Sequence, residues 1–237
     1  MSQIAAPSPR AALDANGRRR LVTIFITFAV FAALLFLSAG TLRWWNAWVY
    51  LGLYLLSMLI GGLAVLRANP EAINERGRKS AATKPFDKLF AMLAAPLHLS
   101  IFVVAGLSFR FGASTIPLWA QIAGFVGLLP SLVMPFWVML VNPYAATTVR
   151  VETGRGQHVI TTGPYRLVRH PLYSAMLLGY LFMPLAFASW WVAVPAALLI
   201  VLFIWRTANE DRTLRAELPG YEDYTQKTRF RLLPGLY

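Results

Sequence analysis

One short stretch concentrates turn, aromatic and cationic residues in an otherwise apolar chain: Gly163-Pro164-Tyr165-Arg166-Leu167-Val168-Arg169-His170-Pro171-Leu172-Tyr173. Long apolar runs flank its neighbourhood. Gly163-Pro164 marks a turn. His170-Pro171 closes one segment and opens the next, because proline disfavours a helical residue before it yet suits the first turn of a helix. The Arg169-His170 pair is therefore expected at the mouth of a helix, where unpaired amides and the positive dipole end favour an anionic ligand group. The competing reading makes Arg166, Arg169 and His170 plain basic residues flanking a membrane segment.

A second set follows after mostly apolar sequence: Arg206, Glu210 and Asp211. Arg206 and Glu210 are four apart and share one face of a helix. An exposed ion pair of that spacing contributes only a few tenths of a kcal/mol, but at a membrane boundary beside a cationic cluster it points to a site. The apolar run between the two sets is long enough to go in and come back as a hairpin, so both sets return to the same end of the molecule. An Arg/His/Tyr cluster with a carboxylate beside an apolar groove suits a zwitterionic cofactor and a lipid-like substrate.

Composition narrows the chemistry. With 57% hydrophobic residues and a mean hydropathy of +0.55, the 237-residue chain is too apolar for a fully solvated surface and reads as an integral membrane protein. Cysteine is absent, which excludes disulfides, thiolate metal sites and cysteine nucleophiles. Three histidines (His98, His158, His170) without an HExxH-like pair leave little for a metal, and none is expected. No Walker A sequence, GxGxxG turn or serine elbow occurs, and Gly154-Arg155-Gly156 is too short to stand for a phosphate loop. The net charge of +12 does not imply nucleic acid, because membrane topology accounts for the basic residues.

These residues need a scaffold, and the sequence predicts an all-α, polytopic membrane bundle of five to six segments. Apolar runs at 21–39, 48–66, 89–109 and 116–141 are long enough to span, the third interrupted by Pro96. Gly124, Gly127, Pro130 and Pro135 in the fourth read as close helix contacts or kinks. Two shorter runs, 172–188 and 190–205, form a tight hairpin turning at Ser189-Trp190-Trp191, and the polar tail that follows starts helical before Pro219-Gly220. The chain thus divides into a cytosolic segment (1–20), a four-span region (21–141) and a region carrying the chemistry (142–237). With the N-terminus in the cytoplasm, 20 of the 22 lysines and arginines and all ten acidic residues fall inside, leaving only Arg43 and Arg110 outside. That split predicts both termini cytoplasmic, in a plasma or inner membrane. His98, mid-span, is expected to hydrogen-bond a neighbouring helix rather than to join the site.

The pattern Gly163-Pro164-Tyr165-Arg166-x-x-Arg169-His170-Pro171-x-Tyr173, then Glu210-Asp211, then Arg229-x-Arg231-Leu232-Leu233-Pro234-Gly235, resembles the isoprenylcysteine carboxyl methyltransferase family and its phospholipid methyltransferase relatives, over roughly residues 140–237. The resemblance implies a membrane methyltransferase that uses S-adenosylmethionine and takes a lipid-like or prenylated acceptor, carboxylate or amine, from the bilayer. It implies cofactor contacts from Gln157, His158, Val159, Ile160, Tyr165, His170, Pro171, Leu172, Tyr173 and Glu210. Arg206 and Glu210 would be the catalytic pair, with Arg206 facing the acceptor. Two departures stand out: many members have histidine where Gln157 stands, and the acidic pair is Glu-Asp rather than Glu-Glu. The alternatives are an NADPH-dependent membrane reductase of the related sterol-reductase type and a non-catalytic membrane carrier or scaffold.

Overall fold

Asp14 sets the start of the first helix. Its Oδ1 accepts a hydrogen bond from the Gly17 amide at 2.8 Å, and α1 runs Ala15–Ala39 in the computed structural model, which describes residues 12–236. The helix stops at Gly40, whose φ of 69° lets its amide turn back to the Phe36 carbonyl. Residues 1–11 of the expected cytosolic segment lie outside the described residues. Of the remainder, Arg18, Arg19 and Arg20 belong to α1 itself rather than to a polar lead-in, because the Asp14 cap begins the helix before the apolar run does.

The helices that follow are α2 (Trp45–Ala68), α3 (Pro70–Gly77), α4 (Pro85–Arg110), α5 (Leu118–Val141), α6 (Pro171–Ala186), α7 (Ala193–Glu217) and α8 (Tyr221–Lys227). The described chain is a polytopic helical membrane bundle: α1, α2, α4, α5 and α7 with its preceding turn are long and apolar enough to cross a membrane. At 16 residues, α6 rises only about 24 Å against the ~30 Å of a hydrocarbon core. Its far end is finished by another helix. Buried Asn46 of α2 donates to the Ala186 carbonyl at 2.7 Å and to Gln121 Oε1 at 2.8 Å, serving a helix end that water does not reach.

Three details differ from the sequence-based expectation. The charged loop 67–88 contains α3, begun by Pro70 with Glu71 in its first turn and tied to the start of α1. There Asn74 accepts from the Asp14 amide at 3.1 Å and donates to the Ala12 carbonyl at 3.0 Å. Pro96 sits inside α4 without ending it. The last apolar segment does not stop near residue 205 but continues through the charged tail start to Glu217, so the residues after the apolar run extend the same rod.

α5 and α6 pack along their length, and glycine is what allows it. A Cβ at Gly124 would meet the backbone of Leu185 and Ala186, and one at Gly127 would meet the Phe182 ring. The core between α1, α2, α4, α6 and α7 is aromatic, with Phe31 stacked on Phe102 at 4.2 Å and buried Tyr50 and Phe187 beside them. His98 lies against this core with its Nδ1 3.1 Å from the Tyr180 hydroxyl of α6, the interhelical hydrogen bond expected of it.

Candidate functional site

The segment between α5 and α6 has no long element of its own. Two short 3-10 turns, Thr153–Arg155 and Gly163–Arg166, punctuate it, and Gly163 takes the left-handed φ of 58° that its turn requires. Neighbours pin it instead. The Val149 amide donates to Asp87 Oδ2 at 2.9 Å, the Lys84 amide to the Val149 carbonyl at 3.1 Å, and Arg150 forms a buried ion pair with Glu75 of α3. The elements that hold the segment in place therefore come from the 70–88 region.

His170 is the residue before α6, and Pro171 is that helix's first residue. Beneath them lies a hub centred on Asp211, which is fully buried. Arg169 donates to both its carboxylate oxygens, at 2.8 and 3.1 Å. The Tyr221 hydroxyl donates at 3.0 Å, Arg231 approaches to 3.1 Å, and His170 Nε2 lies 3.3 Å away. Arg169 also donates to the carbonyls of Thr228 and Arg229, and the amides of Arg169 and His170 donate to Phe230 and Arg231. The closing Arg-x-Arg-Leu-Leu tail is thus stitched beside the motif. Removing one partner from a buried charge pair costs about 3–5 kcal/mol, so the hub is a strong structural clamp. Arg169 is consumed by that clamp and offers no free charge to a ligand.

Glu210 precedes Asp211 on α7, and one residue turns a helical side chain by about 100°. Asp211 therefore points into the hub while Glu210 faces a cleft. The Tyr173 hydroxyl donates to Glu210, and the Tyr173 ring lies parallel to His170 with centroids 5.7 Å apart. The cleft encloses about 870 Å³, its open mouth included. Gln157, His158, Val159 and Ile160 line it from the insert, Tyr165 from the turn, His170, Pro171, Leu172 and Tyr173 from the mouth of α6, and Glu210 from α7. All ten residues named as cofactor contacts from the sequence are brought together on this one wall.

Arg206 is not on that wall. Only 7% exposed, it makes an ion pair with Asp87 at 2.8 Å, donates to the Thr147 carbonyl at 3.0 Å, and stacks its guanidinium over Phe90 at 4.4 Å and over Tyr173 at 5.0 Å. Its partner is Asp87 on α4, in place of the Glu210 suggested by the four-residue spacing. Both Arg206 and Glu210 nevertheless touch Tyr173, one at the ring and one at the hydroxyl.

Sequence reasoning missed several wall residues. Asn142 donates to the Tyr165 hydroxyl at 2.7 Å, and Tyr224 of α8 donates to the Tyr165 carbonyl at 2.7 Å. Tyr144 donates to the Gly156 carbonyl at 2.9 Å beside His158, while Leu214, Leu218 and Tyr221 close the tail side. Asp87 could have been suspected as the single acid in the first turn of an apolar helix. Burial pushes the Tyr165 phenol up to about 12 despite the Asn142 hydrogen bond, and burial followed by the Asp211 charge pushes Tyr221 up as well. Both therefore stay neutral at physiological pH. Among the described residues no group of three His, Cys, Asp or Glu is arranged to hold a metal ion.

An insert and a hairpin thus converge on a charged cleft at one end of the bundle. Residues 119–218, from the start of α5 to the end of α7, match the phospholipid methyltransferase family. The match begins earlier than the resemblance read from the motif and ends before α8. Among curated proteins, the cobalt-zinc-cadmium resistance protein CzcN of Cupriavidus metallidurans is 37% identical over 73 residues. Those residues are 30% of this chain and 33% of the relative, so the similarity spans about a third of that protein's length.

Proposed function

We propose that the protein is an S-adenosylmethionine-dependent methyltransferase acting from the cytoplasmic side of the membrane on a lipid-like or prenylated acceptor. The observation that carries this reading is the convergence of ten residues, from the insert, the α6 mouth and α7, on one cleft within the matched family segment.

The cleft's chemistry fits the cofactor. Glu210 offers a carboxylate to a cationic group, Tyr165 and Tyr173 offer aromatic faces, and Val159, Ile160 and Leu172 offer apolar contact for a flat heterocycle. α6 begins with no side-chain cap; Pro171 has no N–H and the Tyr173 and Ser174 amides donate to the His170 carbonyl, so the Leu172 amide is the one in the first turn that can meet an anionic group such as a carboxylate. When bound, S-adenosylmethionine would supply an electrophilic methyl group to the acceptor's oxygen or nitrogen. A carboxylate acceptor needs no further proton transfer, whereas an amine must shed a proton. The protein's share is alignment and electrostatics. Tyr173 is fixed between Glu210 and Arg206, and Arg206 is fixed by Asp87, so Arg206 acts on the cleft through Tyr173.

The test is binding of S-adenosylmethionine and of NADPH to detergent-purified protein by calorimetry, followed by incubation of membranes with methyl-labelled cofactor and identification of the labelled product by mass. Micromolar binding of the first cofactor and a labelled lipid product are expected. Binding of NADPH alone would replace this reading with that of a reductase, and cofactor affinity without any labelled lipid would leave a carrier.

A further inference from the structure

Two cavities outside the cleft meet at a pair of arginines. The first is a basin of about 850 Å³ where the start of α1, the end of α3 and the start of α4 converge. Its wall carries Arg19, Arg20, Arg76, Arg78, Lys79 and Lys88, several hydroxyls, and no acidic residue. Arg78 is engaged by Glu71 and Glu75, and Arg19 by the Gly77 carbonyl. Lys79 and Lys88 make no ion pair among the described residues, and the buried Nε of Arg20 has no hydrogen-bond partner. Arg78 is compensated by its two glutamates; the other five cations that face the basin repel one another and favour an entering anion.

The second cavity is an apolar groove of about 1140 Å³. α1 packs mainly on α3 and α4, and α2 mainly on α5, which leaves the groove between α1 and α2. Phe25, Phe28, Leu59, Leu132, Phe136 and Met139 line it. Phe25 and Leu59 are more than half exposed, so the groove opens toward lipid. Deeper in the bundle it adjoins a further cavity through Tyr54, Ser131, Leu132 and Met176.

Arg20 and Arg76 belong to the walls of both basin and groove. Burial, and then the neighbouring Arg20 cation, lower the Arg76 guanidinium to about 10, so it remains charged at neutral pH yet gains from an arriving anion. Arg76 also donates to the Ala145 carbonyl at 3.3 Å, and Thr148 lines both the basin and the cleft. The basin therefore lies against the far side of the segment that walls the cleft.

We propose that basin and groove are two halves of one site, which takes an amphiphile with an anionic head group, phosphate or carboxylate, held by Arg20 and Arg76, and lays its apolar tail between α1 and α2. A basin wall that carries cations and no acid disfavours an ammonium head. The two head-group arginines lie on α1 and α3, outside the matched segment, whereas Leu132, Phe136 and Met139 of the groove lie within it, so the head-group preference is set by the N-terminal half.

Binding can be measured without cofactor, by fluorescence anisotropy in neutral detergent with three probes that share one C16 tail: an alkyl phosphate, a carboxylate and a trimethylammonium. The two anions should bind at least ten-fold more tightly than the cation, and the preference should shrink as salt is raised. The Arg20→Gln/Arg76→Gln double variant should lose ten-fold or more for the anions and nothing for the cation. Gly62→Leu supplies a second, independent variant: a Cβ there meets nothing within 4 Å, so the added side chain fills the groove without a clash at its root. It should weaken the C16 phosphate while sparing a butyl phosphate. Equal binding of all three heads, or indifference to the arginines, overturns the proposal. Inorganic phosphate competing as well as the C16 phosphate would leave a basin for free anions and overturn the tail's part. Cofactor affinity, measured separately, fails or holds on its own: amphiphile binding without S-adenosylmethionine binding would sink the methyltransferase reading and spare the site.

Discussion

Glu210 and Asp211 are neighbours of like charge with unlike surroundings, and the difference predicts opposite mutant behaviour. Asp211 is enclosed by Arg169, Tyr221 and Arg231, so Asp211→Asn should lower the thermal midpoint of the detergent-solubilised protein sharply, at a cost of about 3–5 kcal/mol. Glu210 faces the cleft and accepts from Tyr173. Glu210→Gln should leave the midpoint within a degree or two while weakening S-adenosylmethionine ten- to a hundred-fold by calorimetry, the loss of one charge-assisted interaction of about 1.5–3 kcal/mol. Equal midpoints in the two variants would show that the hub is not a clamp. Arg206 and Asp87 form the third residue-scale case. Each alone, as Arg206→Lys or Asp87→Asn, should lower turnover, because the fork that holds Tyr173 is lost either way. The double variant should be little worse than either single one, and simple additivity in kcat/KM would separate the two residues.

At the scale of elements, the α5/α6 contact decides whether the α6 mouth sits where the cleft needs it. Gly124→Ala brings a methyl against the backbone of Leu185 and Ala186, which cannot rotate away, whereas Gly127→Ala meets the Phe182 ring, which can. Gly124→Ala should therefore be the more damaging, at about 1–3 kcal/mol, with Gly127→Ala milder. Gly52→Ala, where nothing lies within 4 Å, should be neutral or stabilising. Thermal midpoints of the three variants give the order, and a reversed order would mean the helices can slide. This contact also shows what a sequence can reveal. The Gly-Pro turn, the His-Pro helix start and the apolar spans were legible because backbone restriction and hydropathy act locally. Of the ten cleft residues, His170 and Glu210 were already marked by the His-Pro helix start and by helical spacing, and the others were legible through resemblance. Asp87 and Asn142 were not, since each matters by a contact 23 or more residues away, and α3 was hidden in a charged loop with no apolar period. Arg206 was assigned to Glu210 by spacing, and a buried acid on another helix outcompeted that neighbour.

For the whole molecule, sidedness governs everything else proposed. Basin and cleft lie at the same end of the bundle, where α1 begins and α7 ends, and that end carries nearly all the charge. The other end has Arg43 and Arg110 and a row of tryptophans, Trp44, Trp45 and Trp48, suited to an interface. The distribution of 20 basic residues against two predicts a cytoplasmic charged end, where a negative leaflet surface would gather basic segments. Reporter fusions should then read external at Arg43 and Arg110 and internal at Lys79 and Tyr237. The short α6 makes this informative, because a helix of about 24 Å enters from the charged end and ends against Asn46 and Gln121 before α7 returns. The α6–α7 hairpin thus keeps residues 142–170 and the tail on one side however deep it dips. A C-terminal reporter reading external while Lys79 reads internal would require α6 and α7 to be separated across the bilayer. That would pull Asp211 away from Arg169, against the buried hub, and move the cleft from the cytoplasmic side. Matching internal signals at Lys79 and Tyr237 are the result consistent with the hub, the cleft and the anionic amphiphile site together.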